Sequence, residues 1–384
     1  MLITAASVEV YRRTSSTFAV SALLATAAAP AILMAPFAGA LADRVDRRRI
    51  MVWSDLVVAA LLVLGALLVG GAAIPVAFIA VFAASTSSAF DRPASEALLP
   101  SLTNPGDLGR ANSALRLGTR MSMIIGPAAG AWLIGTRGFE VVLAVDSLTF
   151  AASAWLVAAI PGTILARDAA AMAESTFRAS LAGITYAVRH SNIGAIIASV
   201  GVTMLMGAII NAGTVAFVAE ELGRPTETYG LLLTAEGAGA VAVAALLIAV
   251  GGRLRLLPFG AAAVVTTGVS CILLGVSPNL GLALGAMVLM GMGVVTIQVT
   301  FASYLQQQTE DAFRGRVMSL IAMVAAVGGI AGLGLAGPAV SLLGARVAFA
   351  LAGIVIIASV TPVLMVIRRE VRQQPESTLT VAGR

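Results

Sequence analysis

Long uncharged apolar runs dominate this sequence and restrict the folds open to it. Residues 14–42 and 56–90 contain no acidic or basic side chain, and each run exceeds the roughly 20 residues that a helix needs to cross about 30 Å of hydrocarbon. The chain is 59% hydrophobic and 11% charged, whereas about 25% of the residues in a soluble domain are charged. We therefore predict an all-α membrane protein with several spans.

Segments that are apolar and long enough to span recur along most of the chain, and we predict about eleven full transmembrane helices. Residues 1–11 are apolar but too short to span, so the first helix is expected to be incomplete. Either the start site is misplaced downstream or a first helix has been lost, and we favour the former. The predicted spans are residues 16–41, 52–70, 74–92, 112–135, 140–160, 193–218, 227–250, 257–276, 280–304, 316–342 and 347–367.

Arginine predicts the orientation of these spans. Short loops rich in arginine remain in the cytoplasm, and Arg44, Arg47, Arg48 and Arg49 follow one another closely between the first two predicted spans. If this loop is cytoplasmic and successive loops lie on opposite sides of the membrane, few arginines lie outside and the C-terminal tail is cytoplasmic. The arginines predicted to lie outside are Arg12, Arg13, Arg137, Arg224 and Arg346. The chain contains no lysine, which is typical of a GC-rich bacterial genome, so we expect a bacterial cytoplasmic membrane.

The loop at residues 39–50 resembles the one that joins the second and third helices of major facilitator superfamily transporters. The matching positions are Gly39, Leu41, Asp43, Arg44, Arg47 and Arg48, while Asp46 replaces a second glycine. The resemblance implies that Asp43 braces a neighbouring helix end and holds the outward-open state. Glycine allows close approach of two helix backbones in a membrane. The alternative is an ordinary basic loop that only determines topology.

The longest polar interruption divides the chain near its middle. Residues 177–189 within it have the apolar periodicity of a helix lying on the membrane surface. We predict an N-terminal helical bundle at 1–160, a cytoplasmic linker with this surface helix at 161–192, a C-terminal bundle at 193–367 and a cytoplasmic tail at 368–384.

Both halves retain traces of one ancestral repeat. Four residues of the first half match four of the second at a constant offset, namely Thr103, Gly109, Arg110 and Ser113 with Thr309, Gly315, Arg316 and Ser319. Repeats at half-chain spacing in a multi-span protein favour a transporter of two pseudo-symmetric bundles that rock about a central site.

A glycine-proline motif, Gly126-Pro127-Ala-Ala-Gly130, lies in the fourth predicted span. It resembles the motif of proton-driven exporters of the superfamily. Proline removes one backbone hydrogen bond and bends a helix, and glycine permits close packing. The same residues also serve as an ordinary packing kink, and Gly337-Pro338 repeats the pair in the second half.

Ionisable side chains within predicted spans are costly and are retained mainly for function or pairing. Glu236 is near the middle of its span, and Asp146 lies about two turns into another. A poorly solvated carboxyl group is harder to ionise, so we predict Glu236 first, and Asp146 second, as the group that binds and releases a proton. Asp55, close to the cytoplasmic end of its span, is a third ionisable group inside the predicted spans. The alternative for Asp146 is a packing role, and Asp55 is more simply explained by an ion pair with the arginines at 47–49.

Polar and adaptable side chains on several spans are predicted to line a substrate cavity. If the bundles pack as in the superfamily, the helices that carry most of these residues face the cavity. The candidates are Ser85, Ser88, Arg116, Arg120, Met204, Asn211, Gln298 and Phe301. Met and Phe adapt to amphipathic organic molecules. The alternatives are helix packing for Met and Phe, and headgroup or loop contacts for the two arginines.

Nothing in the sequence indicates an enzyme, a metal site or a cofactor. The one histidine, His190, ends the linker without a nearby acid and nucleophile, and the one cysteine, Cys271, lies in an apolar run. No Walker loop is present, which argues against an ATP-driven pump. The net charge of +5 comes from loop arginines, so nucleic acid is not an expected partner.

After residue 11 the chain is most similar to the efflux branch of the superfamily, which contains macrolide exporters and the enterobactin exporter. Asn112, Gly126-Pro127, residues 146–150 and residues 314–319 carry that resemblance. It implies a monomeric multi-pass transporter that exports a small amphipathic molecule, such as a drug, by alternating access and proton antiport. The alternatives are a lipid or lysolipid translocator and a truncated membrane protein without transport activity.

Overall fold

The computed structural model describes residues 1–34, 46–104, 107–160, 190–250 and 255–369. Within these ranges all regular structure is helical. The predicted loop residues Gly39, Asp43 and Arg44, nearly all of the 161–192 linker and most of the C-terminal tail lie outside the described residues.

Each predicted span contains a described helix, and one further helix precedes them. Residues 35–41 of the first predicted span lie outside the described residues. We number them α1 Leu2–Thr14, α2 Thr17–Leu33, α3 Arg47–Leu102, α4 Leu108–Arg137, α5 Phe139–Ala158, α6 Ser191–Ala216, α7 Thr228–Val250, α8 Leu256–Val276, α9 Leu280–Gln308, α10 Asp311–Leu343 and α11 Ala345–Ala358. A π-helical turn, Phe217–Glu221, extends α6, and a helical stretch at 361–369 follows α11 after a short turn. Eight of the described helices are long and apolar enough to cross a membrane.

Helix α3 combines two of the predicted spans. Its backbone leaves helical geometry at Ala72, where φ is −134° and ψ is 32°. Gly70 and Gly71 precede this kink, and glycine is a common cause of sharp bends in helices. The first limb of α3 runs from Arg47 to the kink and the second from the kink to Leu102. Asp46 caps the first limb, because its side chain accepts a hydrogen bond from the amide of Arg48 at 3.0 Å.

The contacts within the chain define two compact units. Unit 1 comprises Met1–Glu174 together with Ala212–Thr234. In it, α3 packs along α5 and α2, and α1 contacts α2, α3, α4 and α5. A hydrogen bond of 2.9 Å from Ser147 Oγ to the carbonyl of Ala59 fixes α5 on α3.

Unit 2 comprises Ser175–Asn211 and Ala235–Arg384. Its helices approach through small residues, as is usual in membranes, where apolar burial does not drive helix association. A Cβ atom at Gly268 would lie 2.7 Å from the carbonyl oxygen of Gly353, and one at Gly328 would lie 2.6 Å from that of Gly201. These positions join α8 to α11 and α10 to α6, so larger side chains there would separate the helices.

The repeat predicted from sequence recurs in the backbone of both units. Gly138 joins α4 to α5 with φ 89° and ψ 170°, and Gly344 joins α10 to α11 with φ 77° and ψ 155°. Gly138 and Gly344 are separated by the same number of residues as Thr103 and Thr309, so they occupy equivalent positions in the repeat. Positive φ strains any residue with a Cβ atom, so glycine is retained at the same junction in each half.

Candidate functional site

Glu236 lies in the middle of α7 on a segment held tightly against α9. A Cβ atom at Gly291 would overlap the carbonyl oxygen of Glu236, and one at Gly239 would overlap that of Val288. The backbone around Glu236 therefore has little freedom to shift. None of the described side chains donates a hydrogen bond to its carboxyl group or forms an ion pair with it. An acid without such a partner inside a membrane helix is costly, which suits a group that takes up a proton.

Asp146 is interior to unit 1. It lies in α5 with 9% of its surface exposed, next to Ser147, whose hydroxyl anchors α5 to α3. The ammonium group of Met1 interacts with the Asp146 carboxylate. Asp146 is therefore a buried acid of unit 1 with a nearby cation, whereas Glu236 belongs to unit 2.

A second acidic group joins the two limbs of α3. Ser87 Oγ lies 3.2 Å from Asp55 Oδ1 and 2.8 Å from Asp91 Oδ2, and Ser54 Oγ donates to Asp91 Oδ1 at 3.0 Å. Asp55 is 3% exposed. Its described contacts are thus the Ser87 hydroxyl and the Asp91 carboxyl group, where the sequence suggested an arginine. The signal that could have found this group is the four-residue spacing of Ser87 and Asp91, which places both on one helical face.

Arg48, predicted as part of a conformational gate, binds the end of a helix. Its Nε atom donates to the carbonyl of Val157 at 3.2 Å, and its Nη2 atom donates to the carbonyl of Ala158. Both carbonyls lie at the C-terminal end of α5, where a helix leaves acceptors unsatisfied and favours a cation. Arg48 therefore acts as a cap for α5.

The Gly126-Pro127-Gly130 motif packs against two other segments of unit 1. Pro127 lies inside α4. A Cβ atom at Gly126 would lie 3.2 Å from the Met1 nitrogen, and one at Gly130 would lie 2.6 Å from the Met1 carbonyl oxygen. A Cβ atom at Gly230, near the start of α7, would lie 2.7 Å from the carbonyl oxygen of Pro127. The motif therefore allows Met1 and the start of α7 to pack closely against α4.

Polar contacts next to this packing join α1 to the segment 217–230, and sequence reasoning missed them. The hydroxyl of Tyr11 donates to Glu220. The guanidinium of Arg12 forms an ion pair with Glu227 and donates through Nε to Thr226 Oγ1 at 2.9 Å. We call these five residues the Arg12 cluster. Partners more than 200 positions apart carry no local sequence signal, so a fold was needed to find them.

The predicted cavity residues differ in their accessibility. Asn211, Gln298 and Ser88 are exposed, and Ser85, Met204 and Arg120 are partly exposed. Phe301 is 1% exposed and occupies the space over Gly260 of α8, so it packs within the core of unit 2. The side chains of Arg47 and Arg116 lie outside the described part of the structure.

The comparisons with known proteins agree with this architecture. The profile of the Major Facilitator Superfamily matches residues 1–332 and, in a second overlapping match, residues 192–382. The chain belongs to the major facilitator superfamily. The nucleoside transporter NupG has the same fold, with a TM-score of 0.75 over 95% of this chain and 94% of NupG at 12% identity.

Two similar superfamily proteins carry names that refer to export. BacE of Bacillus amyloliquefaciens, named as a candidate bacilysin exporter, is 31% identical over 141 residues, which cover 36% of this chain and 35% of BacE. The match thus spans about a third of that relative. The multidrug efflux pump Tap of Mycolicibacterium fortuitum is 27% identical over 339 residues, which cover 83% of this chain and 80% of Tap. Both proteins are thus superfamily relatives of this chain whose own names refer to export.

Proposed function

We propose that this transporter exports a small amphipathic organic molecule from the bacterial cytoplasm, driven by protons that enter in exchange. The transporter acts as a monomer in the cytoplasmic membrane, with its C-terminus in the cytoplasm. Alternating access requires two conformations, one open to each side of the membrane. A ligand that binds one conformation more tightly than the other shifts the equilibrium towards the first.

The observation that carries proton coupling is the isolation of the Glu236 carboxyl group. A charged carboxylate inside a spanning helix is costly, and no described side chain compensates it. Protonation removes the charge, so proton uptake and release at Glu236 would alter the relative free energies of the two conformations. The tight packing of Gly291 on this stretch of α7 would transmit that change to α9.

Efflux of an amphipathic molecule is supported by the names of BacE and Tap. The exposed side chains of Asn211 and Gln298 and the partly exposed Met204 provide amide and thioether groups for such a substrate. A proton-coupling role for Asp146 is a weaker proposal, because the ammonium group of Met1 interacts with its carboxylate and can compensate the charge.

The test is transport of ethidium in proteoliposomes under an imposed pH gradient. We expect proteoliposomes that contain the wild-type protein to accumulate the dye in their lumen, and an uncoupler to abolish this accumulation. Glu236→Gln imitates the protonated acid permanently, so it should retain dye binding and lose pH-driven accumulation. Glu310→Gln, which changes an exposed acid, should transport normally.

Folding of Glu236→Gln is checked by size-exclusion chromatography, and Glu236→Asp should restore part of the coupling because it keeps a titratable group. Full pH-driven accumulation by folded Glu236→Gln would remove Glu236 from the mechanism. Transport of a fluorescent lysolipid with no response to the uncoupler would instead favour the lipid translocator.

A further inference from the structure

A groove between the two limbs of α3 lies beside the Asp55 and Asp91 pair and contains none of the predicted proton-coupling or cavity residues. It encloses about 670 Å³. Arg49, Trp53, Val57 and Leu61 line it from the first limb, and Phe82 and Phe90 line it from the second. Its walls are therefore apolar along most of their length, with one basic residue near the start of α3.

The apolar walls are open at the surface of a spanning helix. Trp53 is 67% exposed, Val57 53% and Phe82 40%, and the helix that carries them is long and apolar enough to cross a membrane. Exposed apolar side chains on such a helix face acyl chains in a bilayer. We therefore expect lipid acyl chains to reach the groove.

The length of the groove corresponds to one leaflet. Arg49 and Leu61 are separated by twelve residues of helix, which corresponds to about 18 Å at 1.5 Å per residue. Half of a hydrocarbon core of roughly 30 Å is about 15 Å. One acyl chain could therefore follow the groove from the headgroup region towards the centre of the bilayer.

The charge of the groove selects the headgroup. Arg49 is the charged residue among those that line it, and no described side chain forms an ion pair with Arg49. The hydroxyls of Ser54 and Ser87 at the floor of the groove are directed to Asp91 and Asp55. An exposed guanidinium with free donors binds phosphate well.

We propose that this groove binds an anionic phospholipid of the surrounding membrane. The phosphate lies on Arg49, and one acyl chain runs over Trp53, Val57 and Leu61. A zwitterionic lipid presents the same phosphate with a compensating cation, so it binds less well. The site thus ties the first limb of α3 to the lipid composition of one leaflet.

Quenching of Trp53 fluorescence by brominated acyl chains measures occupancy of the groove directly. The chain contains three tryptophans, so Trp132→Phe with Trp155→Phe leaves Trp53 as the reporter. The full-length protein is placed in nanodiscs that contain brominated phosphatidylglycerol in phosphatidylcholine, or the reverse. One basic residue near the membrane surface attracts anionic lipid by about fivefold, so brominated phosphatidylglycerol should quench Trp53 at about a fifth of the mole fraction that brominated phosphatidylcholine requires.

A second reporter supplies the matched control. Trp155 is 70% exposed and lies close to Ala158. The nearby Arg48 guanidinium donates to the carbonyls of Val157 and Ala158, so it is directed to the helix end and not to a lipid phosphate. With Trp53 and Trp132 replaced by phenylalanine, Trp155 should respond almost equally to both lipids. Arg49→Gln should abolish the lipid preference of Trp53, and Ala83→Phe, which fills the groove, should reduce its quenching by either lipid.

Three results would overturn the proposal. Equal quenching of Trp53 by both lipids would remove the headgroup selectivity. Absence of quenching by either lipid would show that the groove does not face the bilayer. Relief of quenching by ethidium at transport concentrations would make the groove a site for the exported molecule instead.

Discussion

Arg12 and Glu227 form an ion pair that fastens the C-terminal end of α1 to the residue preceding α7. The side chains are 33% and 24% exposed, so water screens the pair only in part. Tyr11 and Glu220 form a second polar contact alongside it. Together they hold the segment 217–230 on α1 within unit 1.

A double-mutant cycle measures the strength of this pair. Partly exposed ion pairs contribute about 0.2–1 kcal/mol, so Arg12→Ala and Glu227→Ala should each lower stability modestly, and the double variant should lose less than their sum. Thermal unfolding in detergent gives the three shifts, and hydrogen exchange should increase in residues 217–230. Strict additivity of the two substitutions would show that the pair does not contribute.

The close approach of Gly230 to Pro127 predicts sensitivity to one methyl group. A Cβ atom at Gly230 would collide with Ala131 and lie 2.7 Å from the carbonyl oxygen of Pro127. Gly230→Ala should therefore destabilise the protein by about 1–3 kcal/mol, the usual cost of overpacking. Gly285→Ala is the matched control, because its Cβ atom would meet nothing within 4 Å. Equal melting temperatures for the two variants would contradict the observed packing.

The serine between the two acids of α3 predicts a rescue. Ser87→Ala removes a hydroxyl that lies within hydrogen-bond distance of Asp55 and Asp91, and loss of a donor to buried polar groups costs about 1–3 kcal/mol. Asp55→Asn in the same background supplies an amide donor and removes one negative charge. It should recover part of the lost melting temperature, and further destabilisation would mean that Asp55 has another essential partner.

Capping by Arg48 predicts a local effect on α5. Arg48→Ala leaves the carbonyls of Val157 and Ala158 without their side-chain donor, and a cation at a helix C-terminus contributes about 0.3–1 kcal/mol. Hydrogen exchange should rise in the last turn of α5 and remain unchanged in its first. Arg110→Ala serves as the control, since Arg110 is 90% exposed and pairs with Asp107 at 3.8 Å. An unchanged last turn in Arg48→Ala would exclude the cap.

Helix positions could be read from the sequence because the bilayer imposes one length and one polarity on every span. The boundary between residues 52–70 and 74–92 was the exception, since α3 passes through Ala72 without a polar turn. Side-chain partners could not be read in the same way. Phe301 looked suited to a cavity, but Gly260 opposite it leaves a space that the ring fills. Asp55 was expected near arginines, whereas its described contacts are Ser87 and Asp91 on the other limb.

The Arg12 cluster could not be predicted from the sequence either, because its members are distant along the chain. Tyr11 and Glu220 are each ordinary residues in their own segments, and only the fold brings them together. Conversely, the position of Glu236 inside an apolar helix could be read from the sequence alone, because it depends only on the composition of that helix. Its role in proton coupling stays a prediction.

The single thiol of the chain, Cys271, is completely buried within α8. A water-soluble maleimide or spin label will therefore find no native target while the protein remains folded. Pairs of cysteines introduced at exposed positions can be labelled in an otherwise natural chain, and distances between the labels then report conformational change directly during turnover.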